Sequence, residues 1–253
     1  MKRKLADLLW VLAVPIANVT LALTVAALII ALIGEDPREA VAILIVGAFG
    51  SAEAIGYTLY YTTSLVFTGL AVAVAFHAGL FNIGGEGQAY FGGLGAALVV
   101  LALDGTLPGW LLIPLAILGS AAFGALWGLV PGYLQAYRGS HIVITTIMFN
   151  FIASALMVYL MVNVLIMPGQ MTPHSREYGE AAWLPQFHDL FAMFGMVIES
   201  SPLNLAALVA VAACVAVWVL LWRTRLGYEI RVVGNNRDAA VYAGIDPRRV
   251  LVV

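Results

Sequence analysis

Lysine is missing from this sequence after Lys4. The nucleotide-binding pattern G-x-x-x-x-G-K-[ST] is therefore missing too, because its lysine has to reach the phosphates. The chain carries no recognisable ATPase of its own. Cysteine occurs once, at Cys214, inside an apolar run. A single cysteine excludes an intrachain disulfide, and no Cys/His cluster surrounds it to suggest a metal site. Cys214 reads as a small apolar residue. Paired carboxylates and nucleophile–base arrangements are also lacking, which makes a membrane enzyme the weakest reading. We expect no catalytic residue, no metal ligand, and no nucleic acid as partner. Charge is scarce: Asp, Glu, Lys and Arg make up 10% of the 253 residues, and 62% are hydrophobic. A soluble domain carries about 25% charged residues, so both departures point to a lipid environment.

The apolar residues are arranged in long runs. A helix needs about 20 of them to cross a bilayer core of roughly 30 Å. Only helices and closed barrels satisfy the backbone there. Barrel strands would alternate apolar and polar residues, whereas these runs are continuous, so helices are expected. Runs lie at about 8–33, 60–80, 88–103, 110–134, 141–166 and 203–222. The MKRK start resembles a signal peptide, but the run behind it is too long for one and reads as a retained span. A shorter run at 40–50 is too short to cross and reads as an interfacial or re-entrant helix. The fold class is thus all-α: a polytopic membrane protein of about six transmembrane helices.

Basic residues favour cytoplasmic loops. Six spans with the N-terminus inside place Lys2, Arg3, Lys4, Arg138, Arg223, Arg225, Arg231, Arg237, Arg248 and Arg249 on the cytoplasmic side. Only Arg38 and Arg176 fall outside, so ten of the twelve basic residues share one side. Nine of the fourteen acidic residues fall on the other. Counting 40–50 as a span would reverse the bias, so the charges argue against it.

Four segments break the apolar pattern. In FHAGLFNIGGEGQ (76–88), Asn82, Glu86 and Gln88 stand among glycines between two apolar runs. Non-helical backbone at membrane depth is tolerated where it is buried or lines a cavity, and broken helices of this kind build transport sites. A cytoplasmic turn between hairpin helices is the equally weighted alternative. Ser120, Gly124, Gly128 and Gly132 repeat every four positions, which suits close helix packing, with Pro131 placed to kink that helix near its end. In RGSHIVITTIMFN (138–150), Asn150 is a candidate for a polar pathway, and Thr145 and Thr146 read as packing residues. His77 also reads as packing. The segment 167–202, with four prolines and Trp183, reads as a lid, a docking surface or an ordinary long loop.

The basic segment 223–249 is too long for a tight turn. Asn235 is expected to cap a short helix starting near Asn236 or Arg237. Ala239, Ala240, Tyr242 and Ala243 would give that helix a small-residue face, with Gly244 ending it and Pro247 blocking continuation. Such a face suits docking in a partner's groove.

These motifs resemble the permease subunits of ABC importers, in the family serving branched-chain amino acids, simple sugars and nucleosides. GLFNIGGEGQ at 79–88 is similar to the FNIG-x-EGQ signature of the nucleoside, basic-membrane-protein branch. HIVITTIMFNFIA at 141–153 is similar to that branch's E-VI-TIM-N-IA pattern, with His141 where an acid often stands. GYEIRVVGNNRDAAVYAGID at 227–246 resembles the cytoplasmic coupling segment. The resemblance implies a single permease domain over 1–253, with 223–249 as its coupling segment. It assigns ATPase contact to Arg231, Gly234, Asn235, Ala239, Ala240 and Gly244. It also implies a second permease subunit, homologous or identical, and separate ATPase subunits that carry the ATP and magnesium. An external lipoprotein or periplasmic protein would deliver substrate. The setting implied is multi-pass in a bacterial or archaeal plasma (inner) membrane. Family permeases are longer, and the run Val250–Val253 is too short to span, so further helices are expected beyond it. A simple-sugar or branched-chain amino acid permease is the alternative, and an ion-coupled secondary transporter the alternative of another class.

Overall fold

The computed structural model describes the backbone of residues 2–252 and the side chains of residues 13–252. The side chains of Lys2, Arg3 and Lys4 lie outside the described residues. Among the described residues, six helices are long and apolar enough to cross a membrane, and there is no β-strand beyond an isolated bridge between Gln186 and Asn204. The chain divides into two compact units.

The first unit comprises the chain up to Thr58 and Ile198–Ser201. It contains α1 (Lys2–Leu32), α2 (Pro37–Phe49) and the start of α3 (Ala52–His77). Asp36 begins α2 by accepting a hydrogen bond from the Arg38 backbone N–H at 2.8 Å, and Pro37 occupies the first helical position. That is where proline's missing N–H costs nothing. The 13 residues of α2 extend about 20 Å at 1.5 Å each, short of a crossing. This helix is the run expected at 40–50. Ser201 packs against Gly56 of α3, and Glu199 accepts from the Glu53 backbone N–H at 3.0 Å.

The second unit holds Leu59–Val197 and the chain from Pro202 onward. It contains the rest of α3, then α4 (Gly85–Leu103), α5 (Gly109–Arg138), α6 (Ile142–Asn163), α7 (Phe187–Met193), α8 (Ala206–Arg223), α9 (Arg225–Asn235), α10 (Arg237–Tyr242) and α11 (Pro247–Val252). The glycine-rich α4 is the most enclosed span. It packs on α5 along the small-residue stripe: Ser120 meets Gly92, Gly124 meets the Gln88 carbonyl, and Gly128 meets the Gln88 side chain. Gly132 meets α11 instead, at Leu251. The helix α5 runs unbroken through Pro114 and Pro131. Along the spans, large apolar side chains such as Leu118, Phe151 and Val211 are exposed, the pattern of helices solvated by lipid.

Helix alternation puts the 78–84, 139–141 and 224–252 segments at one end of this unit. A core of Ala78, Leu80, Ile142, Leu221, Ile230, Val233, Ala240 and Val250 joins them there. Seven arginines belong to that end. The opposite end carries Asp104, Arg176 and the 164–197 segment, where a 3₁₀ turn at Glu180–Ala182 packs on Gly109.

The 224–252 segment departs from expectation in three ways. First, it contains a helix that the sequence reading missed, α9. Thr224 adopts extended backbone, donates its hydroxyl to the Leu220 carbonyl at 2.6 Å and accepts from the Gly227 N–H at 3.0 Å. The chain therefore bends there and starts a new helix. Second, the cap of α10 is Asn236, not Asn235. Asn236 Oδ1 accepts from the N–H groups of Asp238 and Ala239 at 2.9 and 3.0 Å. Asn235 is still helical, as the last residue of α9, and its amide donates to the Arg231 carbonyl. Third, Pro247 begins α11 rather than merely blocking a helix, with Asp246 accepting from the Arg248 N–H at 2.9 Å.

Candidate functional site

The site is built around the break between α3 and α4. The helix α3 ends at His77, and Gly79 takes a left-handed φ of +72°. That region is costly for any residue with a Cβ. The Leu80 N–H returns to the Ala75 carbonyl at 3.0 Å, which fixes the turn. Asn82 Oδ1 then accepts from the Gly84 N–H at 2.8 Å, a short side-chain turn that hands the chain to α4.

Two groups on α6 hold this break in place. Thr146 is buried, donates to the Ile142 carbonyl and accepts from the Ile83 N–H at 3.3 Å. Asn150 donates to the Ile83 carbonyl at 2.9 Å and accepts from the Gly87 N–H at 2.9 Å. The two motifs, about 60 residues apart in sequence, thus satisfy each other's polar groups. Gly87 must lack a side chain: a Cβ there would lie 2.8 Å from Trp127 Nε1 and 3.0 Å from Asn150 Oδ1. Trp127 stacks on Phe91 at 3.6 Å and tilts against Phe149.

On the other side of the break the 224–252 segment closes in. Gly234 of α9 packs directly on the His77 carbonyl and the Gly79 backbone. His77 bonds its own helix at the Ala73 carbonyl and meets Trp222 edge-on at 6.0 Å. Arg231 lies over the same indole at 4.4 Å. His77 is therefore a packing residue, as read from sequence.

A cavity of about 830 Å³ opens beside the break, walled by α3, α4 and α5 with residues of α9 and α11 at one end. Asn82 and Gln88 line it. Glu86 does not; it is exposed on the first turn of α4. Asn150 stands behind the break with both ends of its amide bonded to backbone. Sequence reasoning missed Ser64 and Thr68 of α3, which complete the polar lining with Ser120 and Thr146. Hydroxyls inside an apolar run were the available signal. Among the described residues, no charged side chain lines the cavity.

The residues assigned to ATPase contact separate into two groups. Ala240 is 0% exposed, inside the core at this end, and Gly234 and Arg231 are also held within the chain. Asn235, Ala239 and Gly244 are exposed. Beside them Val241 and Tyr242 present 61% and 97% of their surface. At the opposite end Asp104 accepts from the Gly179 N–H at 2.8 Å and pairs with Arg176 at 3.1 Å. Those two donors hold its carboxyl below the usual carboxylate range.

Residues 54–253 match the family described as "Branched-chain amino acid transport system / permease component". Over 98% of its length the chain is 36% identical to a guanosine ABC transporter permease protein of Bacillus subtilis, and it covers 68% of that protein. It is 34% identical to a nucleoside ABC transporter permease protein of Lactococcus lactis, over 95% of this chain and 65% of the relative. A glucose ABC transporter permease protein of Haloferax volcanii is 33% identical over 93% of the chain and 62% of its own length. The chain thus spans about two thirds of the length of these relatives. No solved structure matches it.

Proposed function

The chain belongs to the branched-chain amino acid transport system / permease component family, and from that premise we propose that it forms part of a nucleoside path through the membrane. The observation that carries this reading is the cavity beside the α3–α4 break, whose largely apolar wall carries six uncharged polar side chains and, among the described residues, no charged one. Such a wall suits a neutral, hydroxylated solute. A charged solute would meet no counter-charge there, and burying it unpaired is costly. Ion coupling would want an ionisable group on the wall, and Glu86 stands off it. Asn82 and Gln88 are proposed to face the solute, and Asn150 to hold the break open behind them.

Energy would come from separate ATPase subunits carrying ATP and magnesium, which dock at the arginine-rich end. The exposed Ala239, Val241, Tyr242 and Ala243 offer them a contact surface. The basic bias supports that end as cytoplasmic, so the 164–197 segment would face an external binding protein. A second permease subunit would close the far side of the path in the plasma membrane.

The test is uptake in liposomes holding the assembled importer with its binding protein outside. Guanosine accumulation should require ATP and persist without an ion gradient. Accumulation driven by a proton or sodium gradient in the absence of ATP would sink the proposal. A sugar path is the second reading, favoured by the similarity to the glucose permease protein. Excess glucose should then compete with guanosine for uptake.

A further inference from the structure

We propose that Gln88 reads the nucleobase of the solute through its primary amide, and that Gly128 makes the room for it to do so. This rests on the reading of the cavity as the solute path.

The cavity wall carries two carboxamides, Asn82 and Gln88. The Asn82 oxygen is spent on the Gly84 N–H. Neither end of the Gln88 amide has a hydrogen-bond partner among the described residues, although the side chain sits on the wall within a helical bundle. The side chain is half-buried on that wall, so a ligand that pairs with the amide takes the place of cavity water and gains the net worth of a hydrogen bond. Gln88 lies on the second turn of α4, over Gly128 of α5. A Cβ at Gly128 would come 3.0 Å from Nε2, so a methyl group there would make the amide give by a few tenths of an ångström and a bulkier side chain would displace it. The unpaired hydroxyls of Ser64 and Ser120 share this wall and suit the hydroxyls of a ribose ring.

A primary amide offers one donor and one acceptor side by side. Turned about its last bond, it matches the N–H/C=O edge of hypoxanthine, guanine or uracil, and equally the N/NH₂ edge of adenine or cytosine. The proposal therefore predicts a path that accepts many nucleobases but discriminates against one lacking such an edge.

The experiment compares uptake of inosine with uptake of purine riboside, which lacks the exocyclic group, by the assembled importer and its Gln88→Met variant. Both use the same saturating binding protein, so its own selectivity cancels in the variant-to-parent ratio. The inosine preference should fall by about five- to tenfold in Gln88→Met, the worth of one hydrogen bond, and less in Gln88→Asn. An unchanged preference in an assembled variant overturns the role of Gln88 while leaving the solute path standing. Absence of nucleoside uptake by the parent importer overturns the path itself. If Gln88→Met does not assemble, Gln88→Leu, which also removes the amide, is read in its place. A fall in preference supports the proposal and an unchanged one refutes it.

Discussion

Gly234 and Gly79 pack backbone to backbone, with a Cβ on Gly79 falling 3.2 Å from both the Cα and the carbonyl oxygen of Gly234. The contact ties the segment assigned to ATPase docking to the turn that opens the α3–α4 break. Gly234→Ala would drive its methyl into the His77 carbonyl. We expect a loss of about 1–3 kcal/mol from such overpacking, read as a lower melting temperature of the detergent-purified protein. Unaltered melting would show that the contact yields without cost.

The α6 staple gives a second prediction. Asn150→Ala leaves the Ile83 carbonyl and the Gly87 N–H without their partner, at about 1–3 kcal/mol for each group left unsatisfied. A cysteine placed at Asn82 in the Asn150→Ala background should react faster with a water-soluble maleimide than in the parent. Equal labelling rates would mean that the break holds its shape by itself.

The two faces of α10 predict opposite phenotypes. Ala240→Leu inserts a larger side chain into a filled core and should destabilise the fold by about 1–3 kcal/mol. Tyr242→Ala, at a fully exposed position, should leave melting unchanged but weaken co-purification of the ATPase. Retention of the ATPase by Tyr242→Ala would remove this residue from the docking surface.

The Asp104 contacts predict a pH response. Its folded-state pKa lies below the ordinary value of 3.8. The contribution to stability is therefore fully present above that ordinary value and is lost as pH falls through the lower, folded one. Protease cleavage within 167–197 should stay constant from about pH 8 to pH 5, above the ordinary carboxylate range, and rise only in stronger acid. Asp104→Asn should raise cleavage already at neutral pH, because an amide pairs poorly with Arg176. Cleavage of the variant at the parent rate would show that other contacts hold the segment.

The six spans were legible because crossing a membrane is a demand on local composition: length and apolarity suffice, whatever the neighbouring helices do. The small-residue stripe was legible for a similar reason, since a four-residue period on a helix makes a face by itself. Caps were harder. Two adjacent asparagines, Asn235 and Asn236, offer the same chemistry, and only the backbone decides which has left the helix. The helix α9 was overlooked because its polar residues read as a loop until Ile230 and Val233 are seen facing a core.

Sequence alone determined the all-helical membrane class, the number of spans, the motifs and the family they resemble. Tertiary structure alone decided what those motifs do for one another. Thr146 and Asn150 bond the 82–88 motif, Ala240 turns inward while Tyr242 turns out, and Gln88 reaches the cavity while Glu86 misses it. The reason is physical. Hydropathy and periodicity act over a few helical turns of one chain segment, whereas a hydrogen bond between residues 63 or 67 positions apart exists only once separate helices have packed.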